Sequence, residues 1–205
     1  MPLGDNYATL LDLKSRLGIG QSDTRDDGRC SAALATASRG IENCCNRQFN
    51  DAGSASARIY RPDDWYMSEV DDFHTQVGLV VKTDEADDGA YEVTWDTSDF
   101  QAEPLNGVVS GTPGWPYFRL VATESRYFSY LARHPCLQVT ARWGWATVPD
   151  PVKEATLIVA EETFKLKDAP FGVAGFGEFG AVRVKQNPLA WGMVAPYRRD
   201  PVLVG

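Results

Sequence analysis

The chain has 205 residues, of which 43% are hydrophobic and 23% charged, so it has enough material for a good core and is not a disordered polypeptide. Its net charge of −8 argues against a free-standing nucleic-acid binder, which is usually basic. No apolar run approaches the roughly 18–20 residues that span a bilayer, and the first residues, MPLGDNYATLLDLK, lack the basic and apolar regions of a secretory signal. Synthesis in a reducing cytoplasm is therefore expected, with Cys30, Cys44, Cys45 and Cys136 as buried thiols rather than disulfides. The charge is uneven: residues 61–103 carry 13 acids against Arg61 and Lys82. The C-terminal stretch is basic, with Arg183, Lys185, Arg198 and Arg199 against Asp200. Such asymmetry suggests surfaces with different partners, or simply a solvated acidic face and a basic tail.

Helical spacing comes first. Leu10, Leu13 and Leu17 predict a short helix over 9–17, stopped by Gly18 and Gly20. Asp26 or Asp27 then caps a longer helix over about 27–47, with Cys30, Leu34, Ala37, Ile41 and Cys44 on one stripe. Its alanines are small enough to admit a neighbouring helix closely. After DAGSASA the period changes to two. ARIYR, VGLVVKTD, AYEVTWD, YFRLVA and LQVTARWGW predict strands between turn-rich segments. DEADDGA, 84–90, predicts a hairpin turn with Gly89 at positive φ and its acids facing solvent. Helical signal resumes at Pro149-Asp150-Pro151 and predicts a helix to about Asp168. A glycine-rich loop (172–180), a short strand (181–185), a last short helix capped by Asn187 and an extended tail complete the chain.

The expected fold is α+β. About four helices form a core from residues 1–56 and 147–195, a small antiparallel β module (57–146) is inserted, and an extended arm (196–205) follows.

Motifs for chemistry are poor. Gly175, Gly177 and Gly180 spell GxGxxG, but a helix precedes and a strand-like segment follows, the reverse of a dinucleotide site. The loop reads instead as an assembly element whose Phe171, Phe176 and Phe179 anchor on a partner, or on this chain's own core. The cysteines lack metal-ligand spacing, and His74 and His134 lack the nucleophile context of a triad. His74 reads as a solvent-exposed loop residue. The acids at 84–88 fail the calcium-loop pattern. Asp63, Asp64, Asp71 and Asp72 are the one group from which a two-metal hydrolase could be built, a minor alternative. Trp143-Gly144-Trp145 reads as packing where the β module rejoins the helices. The expectation is thus no catalytic residues, no cofactor and no metal: an interaction protein. Its C-terminal arm combines an aromatic anchor, Tyr197, with Arg198 and Arg199 and a β-prone end, Val202, Leu203 and Val204.

Several stretches resemble the head-to-tail adaptor (head–tail connector) proteins of siphophages, commonly those of actinobacteria. They are YATLLDLKSRLGI, DDGAYEVTWDTSDFQAEPLN, GWPYFRL and RWGWATVPDPVKEATLIVAEETFKLKDAPFGVAGFGEFGAVRV, the last being the most specific. The resemblance implies a structural virion protein, made in the host cytoplasm and placed at the head–tail interface. It implies a dodecameric ring with a helical wall, the arm docked on the portal protein, a stopper or tail-completion protein on the opposite side, and double-stranded DNA in the lumen. It implies no membrane. An acidic channel suits DNA that must slide, because phosphates paired with lysine or arginine would be held. A stopper or tail-completion protein is the alternative role within the same neck.

Overall fold

A computed structural model of the chain describes residues 4–123, 126–129, 131–165 and 184–199. The fold is α+β, with its helices and antiparallel sheets in separate units. One compact unit draws on residues up to Asn50 together with those from Thr147; the other runs from Asp51 to Ala146.

The helical unit begins with α1 (Leu10–Leu17). Thr9 and Asp12 form a capping box, the Thr9 hydroxyl accepting the Asp12 N–H at 3.1 Å and the Asp12 carboxylate accepting the Thr9 N–H at 3.1 Å. Gly18 closes the helix in the left-handed conformation that its missing Cβ permits. α2 (Asp27–Cys45) follows and ends on Asn46, also left-handed. Asp26 occupies the cap position without a side-chain cap bond and instead faces Arg29. α2 packs on α3 (Asp150–Lys165), which in turn carries α4 (Pro188–Val194). The stripe on α2 is buried as its spacing requires: Cys30, Leu34, Ala37, Ile41 and Cys44 all face inward, with Val152, Ala155 and Val159 of α3 also in the core. Each such Leu or Ile removed from water contributes about 1.5–3 kcal/mol. Ala33 and Ala37 are buried inside the subunit, whereas Ala32 and Ala35 are exposed. Asn187 caps α4 through its side-chain oxygen, which accepts the Leu189 and Ala190 N–H groups at 3.0 and 2.9 Å.

Two local expectations fail here. Of the strand expected at 181–185, residues 181–183 lie outside the described residues, and Val184–Gln186 is helical with Val184 fully buried; β propensity is a weak prior. Ala195–Tyr197 is a 3-10 turn rather than extended chain, continuing α4 by one tight turn before Arg198 turns extended. No helix among the described residues is long and apolar enough to cross a membrane.

The β unit holds two sheets and a separate hairpin. β1 (Ser56–Tyr60), β9 (Leu137–Ala141), β3 (Val80–Thr83) and β4 (Val93–Thr94) form one sheet in that order. β2 (Met67–Phe73), β8 (Tyr117–Ala122) and β5 (Phe100–Glu103) form the second. β6 (Val108–Val109) and β7 (Thr112–Pro113) pair only with each other. All pairings are antiparallel. The expected runs at 57–61, 77–84, 90–96, 117–122 and 137–145 contain β1, β3, β4, β8 and β9, each strand except β8 covering only part of its run or shifted by one residue, and 84–92 joins β3 to β4 with Gly89 at φ 88°. β2 was hidden in an acid-rich stretch, yet Ser68, Val70 and Asp72 point inward while Asp71 points out. An irregularity after Glu69 lets the consecutive Asp72 and Phe73 both be buried. The core is aromatic: Phe73, Trp95, Phe100, Phe128 and Trp143 close on Val70, Val81, Leu120, Leu137 and Val139.

Candidate interaction surfaces

The root of the C-terminal arm is held by the end of α2. The Tyr197 ring meets Phe49 edge-on at 5.9 Å, and Phe49 meets Tyr7 in the same way at 5.6 Å. The Arg199 N–H donates to the Cys45 carbonyl at 2.9 Å, and Asn46 Nδ2 donates to the Arg199 carbonyl at 3.0 Å. These bonds satisfy groups that a helix C-terminus leaves open. The Arg198 guanidinium lies 5.4 Å over the Trp191 ring and has no ion pair among the described residues, so its charge faces outward. Tyr197, Arg198 and Arg199 thus start the arm from a fixed platform; Val202, Leu203 and Val204 lie outside the described residues. So does the whole glycine-rich loop with Phe171, Gly175, Phe176, Gly177, Phe179 and Gly180.

The acidic turn departs from expectation. Asp84 is 1% exposed rather than solvent-facing, and its carboxylate accepts the Gly89 N–H at 2.7 Å and the Asp88 N–H at 3.3 Å, folding the turn onto itself. Asp87 reaches across to the 133–134 segment. It accepts the backbone N–H of His134 at 2.8 Å and of Arg133 at 3.1 Å, with Arg133 Nε at 3.2 Å. Those donors hold its carboxyl well below the usual carboxylate range. Asp84, Asp88 and Glu92 bring carboxylate oxygens within 4.8 Å of one another. Acids fit at that density because backbone amides meet much of their charge.

The four candidate hydrolase aspartates are not assembled into one site. The Asp63 carboxylate accepts the Glu69 N–H at 2.6 Å, and Asp64 accepts the Tyr66 and Met67 N–H groups at 2.6 and 2.8 Å. Asp71 pairs with Arg58 at 2.6 Å and accepts the Tyr60 hydroxyl at 2.9 Å. Asp72 is buried under the Trp145 indole, whose N–H donates to it at 2.8 Å. Each carboxylate is engaged in a turn, an ion pair or a core bond. His74 is half-buried rather than solvent-exposed, with Nδ1 enclosed. The four cysteines are buried thiols outside any disulfide, and burial pushes the Cys45 thiol up to about 12. Trp143, Gly144 and Trp145 do pack at the return of the chain: the Trp143 indole donates to the Ser56 carbonyl, Gly144 at φ 96° donates to the Asp72 carbonyl, and the Trp145 ring lies tilted against Trp115 at 5.2 Å.

Two surfaces of the β unit are not evident from residue spacing. One is an exposed aromatic patch where Trp65 meets Tyr127 at 5.5 Å beside Tyr66. The other is the β6–β7 hairpin with the 3-10 turn that leads into it (Leu105–Gly107), which together expose Val108 and Leu105. A signal for the second existed: residues 104–116, PLNGVVSGTPGWP, carry no charge in the most acidic part of the chain.

No family model matches this chain, and no curated protein matches it. Solved structures do. The chain is similar to a chain of the neck of an empty GTA particle, computed with C6 symmetry, at 15% identity and a TM-score of 0.58 over 97% of this chain and 93% of that one. It is similar also to a chain of the neck of a native GTA particle, computed with C12 symmetry, at 14% identity and a TM-score of 0.52 over 97% and 92%. The likeness in fold therefore extends over 97% of this chain.

Proposed function

We propose that this chain is a structural protein of the neck of a phage-like particle, and that within the neck it serves as the head-to-tail adaptor. The observation that carries the reading is the likeness over 97% of the chain to neck chains of particles treated with C6 and C12 symmetry. A subunit repeated about a cyclic axis forms a closed ring through head-to-tail contacts. In this reading twelve copies make the ring, with α2 and α3 in its wall, and double-stranded DNA passes through without sequence-specific contact. The portal protein receives the arm (Tyr197, Arg198, Arg199, Val202, Leu203, Val204). A stopper or tail-completion protein binds the opposite side, and the loop of Phe171, Gly175, Phe176, Gly177, Phe179 and Gly180 orders on assembly. The protein belongs to the virion and is not an enzyme. The outward charge of Arg198, on a platform fixed by Cys45 and Asn46, supports the arm as the docking element.

Truncation tests this. Deleting 196–205 removes Tyr197 from Phe49, so the cleaner deletion starts at Asp200. The chain lacking 200–205 is expected to fold with an unchanged melting curve and to be lost from portal-containing heads in sedimentation. Normal occupancy of the truncated chain on those heads would overturn the arm's role and leave the glycine-rich loop as the docking element. A ring imaged on the tail side of another ring, out of contact with the portal, would assign the chain as the stopper instead.

A further inference from the structure

The three-stranded sheet β2-β8-β5 has two ends, and each carries an exposed apolar feature. Met67 and Gln101 both pair with Val121 near one end; Glu69 and Glu103 both pair with Arg119 farther along, and Phe73 pairs with Tyr117 at the other end. The aromatic patch sits at the first end. The Tyr66 carbonyl accepts the Ala122 N–H and the Trp65 carbonyl accepts the Phe128 N–H, both at 2.7 Å, so the two segments that bear the patch are laced together. Trp65, Tyr66 and Tyr127 are 42%, 62% and 57% exposed. The hairpin leaves from the opposite end, directly after Glu103 and Pro104. Its tip is Ser110-Gly111, both at positive φ (50° and 79°), the two-residue turn that matches strand twist. Its base is closed by the Trp115 N–H donating to the Gly107 carbonyl at 3.0 Å. A two-stranded ribbon is marginal alone, and this one is held in shape at both ends while presenting Leu105 and Val108 at 55% and 43% exposure.

We infer that adjacent copies of this chain join head to tail through the β unit, the β6–β7 hairpin of one copy seating on the Trp65–Tyr66–Tyr127 patch of the next. This deepens the ring reading above and rests on it. Charge selects the occupant. Residues 61–103 hold 13 acids against two bases, so two copies must meet where acids are missing or already satisfied. The hairpin has no ionisable side chain between Pro104 and Pro116. Beside the patch, Asp63 and Asp64 turn their carboxylates onto backbone N–H groups of Glu69, Tyr66 and Met67. DNA is the wrong occupant for the hairpin, because phosphate binding draws on lysine and arginine. Knob and patch at opposite ends of one sheet make a heterologous pair, which a rotation closes into a ring; one patch used twice would make a two-fold dimer. Clustered exposed aromatics are the residue type that anchors such contacts.

The test introduces Val108→Cys and Tyr127→Cys together and separately in the full chain, with mild oxidation, in isolated protein and in assembled particles. The native thiols are buried, so the new ones react selectively in the folded state. Native mass is recorded first and denaturing gels second. The double variant is expected to give a covalent ladder up to the ring, and each single variant no ladder. Leu105→Asp with Val108→Asp should cut the ring population at least about tenfold, with the melting curve unchanged because both sites are exposed. A ring by native mass with no ladder, or with the aspartate variant assembling normally, overturns the interface and leaves the ring standing. Dimers cross-linked by Val108→Cys alone overturn it in favour of a two-fold contact. Wild-type chain that is monomeric both in isolation and in particles overturns the ring and this interface with it.

Discussion

The two units of this chain solve the packing problem with opposite materials. The helical unit buries small side chains between its helices: Ala33, Ala37, Ala155, Ala160 and Ala190, with Cys30 and Cys44, lie among Leu13, Leu34 and Ile41, while its buried rings, Tyr7 and Phe49, stand outside the helices. The β unit buries large rings: Phe73, Trp95, Phe100, Phe128 and Trp143 fill the core, and Trp95 stacks on Phe128 at 4.8 Å and 9°. Small residues let helices approach and make position matter more than volume. Rings fill volume with few residues and, through indole N–H groups, fix where the chain returns. The difference predicts that the β unit is broken by deletion of atoms and the helical unit by their addition.

The largest expected effect is Trp143→Ala. The residue is 1% exposed, its ring meets Phe73 edge-on at 6.2 Å and Tyr60 at 5.9 Å, and its N–H donates to the Ser56 carbonyl. Its loss should cost about 3–5 kcal/mol by denaturant unfolding. The helical counterpart is Ala37→Leu, at a fully buried site, where extra methyl groups should cost about 1–3 kcal/mol. A reversed ranking, with Ala37→Leu the more damaging, would break the contrast between the two cores.

Legibility in the sequence divides along the same line. The helices were readable because their stripes and caps are local: Leu10, Leu13 and Leu17, the stripe from Cys30 to Cys44, and Asn187 before Pro188 all act within a few residues of themselves. β2 was not readable, because its acids are offset by partners far along the chain: Asp71 by Arg58, Asp72 by Trp145 and Glu69 by Arg119. The acidic turn is opaque to composition for the same reason. Its composition says solvent, while Asp84 and Asp87 are satisfied by amide N–H groups that composition does not count. The arm is marked in the sequence by residue type alone, and the structure adds its platform: Phe49, Cys45 and Asn46 lie some 150 residues away in sequence. The aromatic patch is formed by two segments that only the sheet brings together.

A middle-sized effect sharpens the comparison within the β unit. Asp84→Ala leaves the Gly89 N–H without its acceptor in a largely enclosed turn, and such a loss should cost about 1–3 kcal/mol. Asp84→Asn keeps one acceptor oxygen and should recover part of it. Equal stability of Asp84→Ala and the wild type would mean that the turn is held by the strands alone.

The smallest effect is at Asp87, in the same turn but at its surface. Here the donors are the Arg133 and His134 N–H groups and the Arg133 side chain, and together they depress the carboxyl pKa in the folded state. The ordinary value, about 3.9, is the reference for the unfolded chain. A depressed folded value means that the unfolded state binds the proton more readily, so the contribution is fully present above about pH 4 and is lost as the pH falls through the folded value. Solvent screens the pair, so the effect is small. Asp87→Asn should therefore lower the Tm slightly and by a constant amount between about pH 5 and 8. Below about pH 4 the wild-type Tm should fall toward that of the variant, and the gap should close. A gap that widens in acid would mean that Asp87 is better bound protonated, and that the His134 and Arg133 amides do not hold its charge.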